Sequence, residues 1–157
     1  MQNVSTCLWF DTQAAEAAAF YVSLFPNSHI VETTHYPEGA HRPAGSVLTV
    51  QFVLDGTEYL ALNGGPHYQH SPAMSMVAYV DSQARSDEMW QKLGEGGQYS
   101  QCGWLDDKFG VSWQIVPRKM LSLLTSTDTV AAKRAFDAML EMKNIDMAVV
   151  QAAFDKA

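Results

Sequence analysis

The apolar positions in the first part of the chain follow two kinds of spacing. Stretches in which apolar and polar residues alternate predict strands, and apolar residues three or four apart predict a helix. In order, the pattern predicts strand Val4–Phe10, a helix in the alanine-rich stretch that ends near Phe25, and strands Ser28–His35, Val47–Leu54 and Thr57–Leu62. Asp55-Gly56, between the last two strands, is typical of a type I′ hairpin. This part of the chain therefore predicts a βαβββ module.

The same order of elements begins again about seventy residues further along. The predicted elements are strand Met74–Val80, helix Ala84–Leu93 behind a capping Asp81-Ser82, and two more strands, of which the last is Val111–Pro117. One module cannot bury both faces of its sheet, so the repeat predicts two curved sheets around a shared cavity. The predicted fold class is α+β, with two βαβββ modules that form a curved sheet or a barrel.

Helical spacing replaces strand spacing after Pro117. The three predicted helices cover Arg118–Leu124, run from a cap at Thr127 or Asp128 to about Met142, and run from Asn144-Ile145-Asp146 to Phe154. Their apolar residues form one face, which predicts docking onto the sheets or onto a second subunit. The chain is thus divided into a first module at 1–66, a linker at 67–73, a second module at 74–117 and a helical C-terminal extension at 118–157.

Composition and charge narrow the class of protein. The 157 residues are 47% hydrophobic and 17% charged, which is typical of a globular protein and not of a disordered one. Residues 1–117 hold four Lys/Arg against twelve Asp/Glu, a net charge of −8, so the sequence offers no clustered basic face for a nucleic acid. No apolar run approaches the length of a membrane span, and the N-terminus does not resemble a targeting segment. We expect a cytoplasmic protein.

Thiols and histidines offer few candidates for metal or redox chemistry. Cys7 and Cys102 form no Cys-x-x-Cys motif, so they are predicted to be buried or pocket-lining free thiols. His67 and His70 could chelate a metal, but they fall in the predicted linker, where a solvated loop is the more common outcome. The sequence therefore predicts no metal site and no cofactor.

Several motifs resemble a known family as a set. They are Cys7-Leu8-Trp9-Phe10-Asp11, Phe20-Tyr21 with Leu24–Ser28, Leu60–Pro66, and the stretch CGWLDDKFGVSWQIVPR at Cys102–Arg118. Together they resemble the PhnB-like proteins, which are often labelled 3-demethylubiquinone-9 3-methyltransferase. These belong to the vicinal oxygen chelate superfamily, with glyoxalase I, the extradiol dioxygenases and the bleomycin- and fosfomycin-resistance proteins. The resemblance extends over nearly the whole chain, including the helical tail. It implies paired βαβββ modules, a homodimer and a pocket inside a curved sheet.

The resemblance also identifies where a metal would be held. Enzymes of the superfamily use one divalent metal that is bound by His, Gln or Glu side chains on four strands. The corresponding positions here are Ser5, Asn63, Ser75 and Gln114. None of them is an imidazole or a carboxylate, and neutral hydroxyl and amide oxygens rarely hold a catalytic transition metal. The departure favours a metal-free pocket.

The predicted function is the binding of a small molecule. Strand alternation keeps polar groups on the inward face, among aromatic ones, as ligand pockets require. The residues expected to line the pocket are Trp9, Asn63, Cys102, Trp104 and Gln114.

Other functions stay open at this point. They are a metal-dependent lyase, isomerase or dioxygenase with unrecognised ligands, a metal-free thiol reaction at Cys7 or Cys102, and a purely structural dimeric module. Methyl transfer lacks support, because the sequence shows no strand followed by a glycine-rich turn and an acidic residue that could cradle a nucleotide-like methyl donor.

Overall fold

The computed structural model describes residues 2–156, and two units are distinguished by their internal contacts. One unit ends at Gln69 and the other begins at His70. The first unit contains β1 (Thr6–Phe10), α1 (Ala14–Leu24), β2 (His29–His35), β3 (Val47–Leu54) and β4 (Thr57–Asn63). The second contains β5 (Ser75–Val80), α2 (Gln83–Gly94), β6 (Gln98–Tyr99), β7 (Trp104–Asp106), β8 (Ser112–Pro117), α3 (Arg118–Leu124), α4 (Thr129–Leu140) and α5 (Met147–Asp155).

Each unit holds one four-stranded sheet, and the two sheets have the same topology. The strand order is β1-β4-β3-β2 in the first and β5-β8-β7-β6 in the second. In each sheet the first strand pairs in parallel with the fourth, and the remaining pairs are antiparallel. The described residues thus form two separate sheets and not a closed barrel. The α+β class and the βαβββ repeat are confirmed.

One face of each sheet is buried under the helix of its own module. In the first module, the buried side chains of the sheet include Leu8, Phe10, Val50, Phe52 and Ala61, and they meet Ala14, Ala17, Ala18 and Tyr21 of α1. In the second, Ala78, Val80, Trp113 and Ile115 meet Met89 and Leu93 of α2. We call this the helix face of each sheet, and the opposite side the open face.

The three C-terminal helices belong to the second unit and have a core of their own. Its buried members are Val116, Met120, Ala135, Ile145 and Val150. Because Val116 lies on β8, this core is continuous with the second sheet, which agrees with docking of the helices onto a sheet. None of the helices found in residues 2–156 is both long and apolar enough to span a bilayer.

Candidate ligand site

The open face of the second sheet carries two rows of side chains across β5, β8 and β7. Strand register pairs Val77 with Gln114 and Gln114 with Trp104, which makes one row. The next row, two residues along each strand, consists of Ser75, Ser112 and Asp106. Alternate residues of a strand point to the same side, so all six side chains share this face.

Hydrogen bonds join the polar members of the two rows. Gln114 Nε2 donates to Ser75 Oγ at 2.9 Å, and Ser112 Oγ donates to Asp106 Oδ1 at 2.6 Å. Within the described residues, the other end of the Gln114 amide and the Trp104 indole N–H have no hydrogen-bond partner. The open face therefore has an amide oxygen, from Gln114, and an indole N–H, from Trp104, that can form hydrogen bonds with a ligand.

Apolar surface lies beside these polar groups. Val77 is 39% exposed and Tyr79, the next residue of β5 on this face, is 52% exposed. The Arg118 guanidinium lies 5.4 Å from the centre of the Tyr79 ring and pairs with Asp81 at 2.9 Å. Exposed aromatic and aliphatic surface next to a few oriented polar groups is the composition of a small-molecule site.

Trp9 lies on the open face of the first sheet, as its position on β1 predicts. Its indole Nε1 donates to the Gly65 carbonyl at 2.9 Å. Its ring packs so closely on Gly64 that a Cβ there would overlap it, and Tyr68 meets it edge-on at 5.0 Å. Trp9 therefore anchors the chain where it leaves β4, and only its ring surface is available to a ligand.

Asn63 lies on the helix face and not on the open face. Strand alternation puts Tyr59, Ala61 and Asn63 on one side of β4, and this side packs against α1, where Ala61 is fully buried. Asn63 Oδ1 accepts from the Ala14 N–H at 2.8 Å and Nδ2 donates to the Val47 carbonyl at 3.1 Å. Both ends of this amide bond to backbone, so the structure assigns Asn63 to helix capping rather than to a ligand.

Cys102 lies in the turn between β6 and β7 and is partly buried. Its backbone is left-handed, with φ of 58°, and its N–H donates to the Met142 carbonyl at 2.8 Å. Cys7 lies on β1 two residues before Trp9, and its side chain points to the open face of the first sheet, where the residue as a whole is exposed and not buried. Partial burial of the Cys7 thiol raises its pKa. Burial is the one cause of this shift, and a raised pKa does not favour the thiolate that a nucleophile requires.

We expect Cys7 to react slowly with iodoacetamide at neutral pH. A raised pKa lowers the fraction of thiolate, which is the reactive form, so the rate should stay low at pH 7 and rise only above the pH at which an ordinary thiol ionises. The measurement is the rate of Cys7 carbamidomethylation against pH, followed by peptide mass spectrometry, with the urea-unfolded chain as control. A folded chain that reacts as fast as the unfolded one at pH 7 would contradict the shift.

The four positions that correspond to metal ligands do not form a metal site. Ser5 precedes β1, is exposed and donates to the Glu58 carbonyl at 3.0 Å, while Asn63 caps α1. Only Ser75 and Gln114 share a face. A search of residues 2–156 finds no group of three or more His, Cys, Asp or Glu side chains that could hold a metal ion. The donor set does not fit the divalent metal that the superfamily implies.

Two adjacent aspartates in the β7–β8 hairpin differ in location and in burial. Asp106 joins the open face, whereas Asp107 is 3% exposed and accepts from Trp113 Nε1 at 2.9 Å. Asp106 is not among the residues that the sequence predicts for the pocket. Alternation from Trp104 to Asp106 along β7 is the signal that could have added it.

The repeated βαβββ topology places the chain in the class of glyoxalase-like α+β proteins, and comparison with known proteins gives the family. The model of the family described as 3-demethylubiquinone-9 3-methyltransferase matches residues 2–116. The PhnB protein of Bacillus cereus is 32% identical and aligns with a TM-score of 0.69 over 74% of this chain and 99% of its own. The chain belongs to this PhnB-like family, and with it to the vicinal oxygen chelate superfamily.

A second solved structure extends the likeness in fold. Protein PA1353 of Pseudomonas aeruginosa is 19% identical and aligns with a TM-score of 0.61, over 74% of this chain and 98% of its own. No curated protein matches the sequence. The family match ends at residue 116, so the helical extension lies outside it. The expectation that the resemblance covers the tail is therefore wrong.

Proposed function

We propose that this chain binds a small, partly planar molecule on the open face of its second sheet, and that it does so without a metal ion. The observation that supports the proposal is the row Val77, Gln114 and Trp104, which places an amide between an aliphatic and an aromatic side chain. A sheet face that only filled a core would carry apolar side chains here, as the helix face of the same sheet does. Ser75, Tyr79 and Asp106 complete the proposed site.

The chemistry of this face defines what it can hold. Trp104 and Tyr79 offer ring surface, and Val77 offers aliphatic contact. The end of the Gln114 amide that is not bonded to Ser75 can pair with a donor or an acceptor on the ligand. A compound with a flat apolar body and one amide-like group matches this arrangement. Trp9, on the open face of the first sheet, remains a separate candidate for ring contact, and Cys102 borders the site through its turn.

Neither metal chemistry nor methyl transfer is part of the proposal. The oxygens of Ser75 and Gln114 are neutral, and such ligands suit a catalytic transition metal poorly. The family description names a methyltransferase, but among residues 2–156 no helix follows a strand through a glycine-rich turn of the kind that holds a nucleotide-like donor. A homodimer remains an expectation from the family resemblance, and light scattering on the purified protein decides it.

Benzamide is a suitable first probe, because it has one flat ring and one amide. We expect it to shift the Trp104 indole N–H resonance and the Gln114 side-chain amide resonances in heteronuclear NMR spectra. Gln114→Leu should weaken benzamide binding about fivefold, the equivalent of a hydrogen bond worth about 1 kcal/mol. Gln91→Leu is the matched control, since Gln91 is exposed on α2. It should leave the affinity unchanged.

Other outcomes would overturn the proposal. Shifts that avoid Trp104 and Gln114, or equal affinity in wild type and Gln114→Leu, would exclude this face as the site. Elemental analysis that finds about one metal ion per chain, lost in Gln114→Leu, would favour a metal-dependent enzyme of the superfamily. A protein that binds neither benzamide nor its congeners would leave the structural dimeric module as the better account.

A further inference from the structure

The helical extension reaches back to the turn that precedes Trp104. The Cys102 N–H donates to the Met142 carbonyl at 2.8 Å, and the Gly103 N–H donates to the Lys143 carbonyl at 2.7 Å. Both turn residues have a left-handed backbone, with φ of 58° and 80°. A non-glycine residue in this conformation is strained, so surrounding contacts must hold it. The carbonyls of the 142–147 segment supply such contacts.

The same segment is bonded to helix α2 mainly through the Gln83 side chain. Gln83 Nε2 donates to the Ile145 carbonyl at 2.9 Å, and Gln83 Oε1 accepts from the Met147 N–H at 2.9 Å. A single amide therefore bonds two backbone groups of the segment, on either side of Asp146. Asn144 Nδ2 adds a bond to Asp87 Oδ1 at 2.9 Å. The 142–147 segment is held between α2 and the turn.

Packing leaves no room between the segment and the turn. Ile145 is 1% exposed, and a Cβ added to Gly103 would lie 3.3 Å from Ile145 Cγ1 and 2.6 Å from the Ile115 carbonyl oxygen. The Gly103 carbonyl in turn accepts from the Ile115 N–H at 2.8 Å. Gly103 is thus bonded to β8 on one side and to the extension on the other.

The position of Trp104 follows from this arrangement. Trp104 is the first residue of β7, directly after Gly103, and its N–H donates to the Gln101 carbonyl at 3.0 Å. A change in the backbone angles of Cys102 or Gly103 would therefore redirect the indole.

We propose that Gln83 is a positioning residue. It fixes the 142–147 segment, the segment fixes the Cys102–Gly103 turn, and the turn sets the orientation of Trp104. The first two steps stand on the hydrogen bonds alone, and the consequence for a ligand rests on the proposed function. The helical extension, which lies outside the family match, then helps to orient Trp104 in the second module.

Amide hydrogen exchange tests the first two steps without any ligand. In Gln83→Ala, the exchange of the Cys102 and Gly103 amides should accelerate at least tenfold, while the amides in the β5–β8 pair keep their protection. Gln91→Ala, on the same helix, should leave all of them unchanged. Gln83→Glu keeps an oxygen for Met147 and replaces the donor to Ile145, so it serves as a second variant if Gln83→Ala fails to fold. Unchanged exchange of both turn amides in the Gln83 variants would overturn the inference.

The last step is tested on the same samples. The Trp104 indole resonance should move in Gln83→Ala, and benzamide affinity should fall about threefold or more, while the Trp9 indole resonance stays in place. Faster turn exchange with an unmoved Trp104 resonance and unchanged benzamide affinity would overturn the positioning role. Failure of wild-type protein to bind benzamide would contradict the proposed function alone, because exchange of the turn amides and the Trp104 resonance are read without ligand.

Discussion

Gly97→Ala is expected to lower the free energy of unfolding by about 3 kcal/mol, at the upper end of what overpacking costs. Gly97 lies between α2 and β6, where the chain passes over the β7–β8 hairpin. A Cβ at this position would overlap the carbonyl oxygen of Asp106 and lie 2.7 Å from the carbonyl carbon of Asp107. Both contacts are with backbone, so no side chain can rotate away. The clash can be relieved only by moving the hairpin that carries Asp106 of the proposed site.

Thermal unfolding measures this effect. For a chain of this length, 3 kcal/mol corresponds to a fall in Tm of about 9 °C. Gly110→Ala is the control, because it lies in the same hairpin with φ of 85° and an added Cβ would meet nothing within 4 Å. It should cost only about 1 kcal/mol, from the left-handed backbone. Equal losses in the two variants would show that close approach of the chains is not what requires glycine at position 97.

Asp107→Ala is also expected to lower the free energy of unfolding by about 3 kcal/mol, because it removes the acceptor of three hydrogen bonds. The buried carboxylate accepts from Trp113 Nε1 at 2.9 Å and from the backbone N–H groups of Phe109 and Val111 at 2.8 and 3.0 Å. Removing it leaves these three donors without this acceptor, and a buried donor without an acceptor costs about 1–3 kcal/mol. Trp113 is 1% exposed, so water cannot easily replace the lost bond to its indole.

Urea unfolding separates this loss from a change in the unfolded state. The midpoint should fall while the m-value stays constant. Asp81→Ala is the matched control, since Asp81 is also paired, with Arg118, but on the surface. Its removal should cost less than about 1 kcal/mol. Asp107→Asn keeps one oxygen acceptor, so its loss of unfolding free energy should lie between the losses in Asp107→Ala and Asp81→Ala. A loss in Asp107→Ala no greater than in Asp81→Ala would show that the carboxylate does not organise the hairpin.

The elements of the fold follow from local signals in the sequence. The alternation predicts Val47–Leu54, and β3 has these same bounds. The hairpin after it forms at Asp55-Gly56, where both residues have positive φ, as a type I′ turn requires. Of the two caps that the sequence offers for α4, Thr127 and Asp128, the structure uses Asp128, which accepts from the Ala131 N–H at 3.0 Å. In each case, the deciding interactions lie within a few residues.

The candidate site is less predictable, because it depends on contacts that are distant in sequence. The alternation along β4 groups Tyr59, Ala61 and Asn63 on one side, but only packing against α1 decides which side that is. The turn at Cys102 likewise depends on carbonyls forty residues later, at Met142 and Lys143. Gln114 and Trp104 are placed together by strand register, which the sequence constrains more directly.

The Asn63 amide has a consequence for the order in which the first module can be completed. Gln13, at the N-cap of α1, makes no capping bond, and the Ala14 N–H is satisfied only by a side chain 49 residues later. While the ribosome makes residues 15–62, the N-terminus of α1 therefore lacks this acceptor. The helix reaches its final form only when β4 has been synthesised and has paired between β1 and β3. Completion of the first module is thus tied to translation of its last strand, and an earlier stop would leave the helix uncapped.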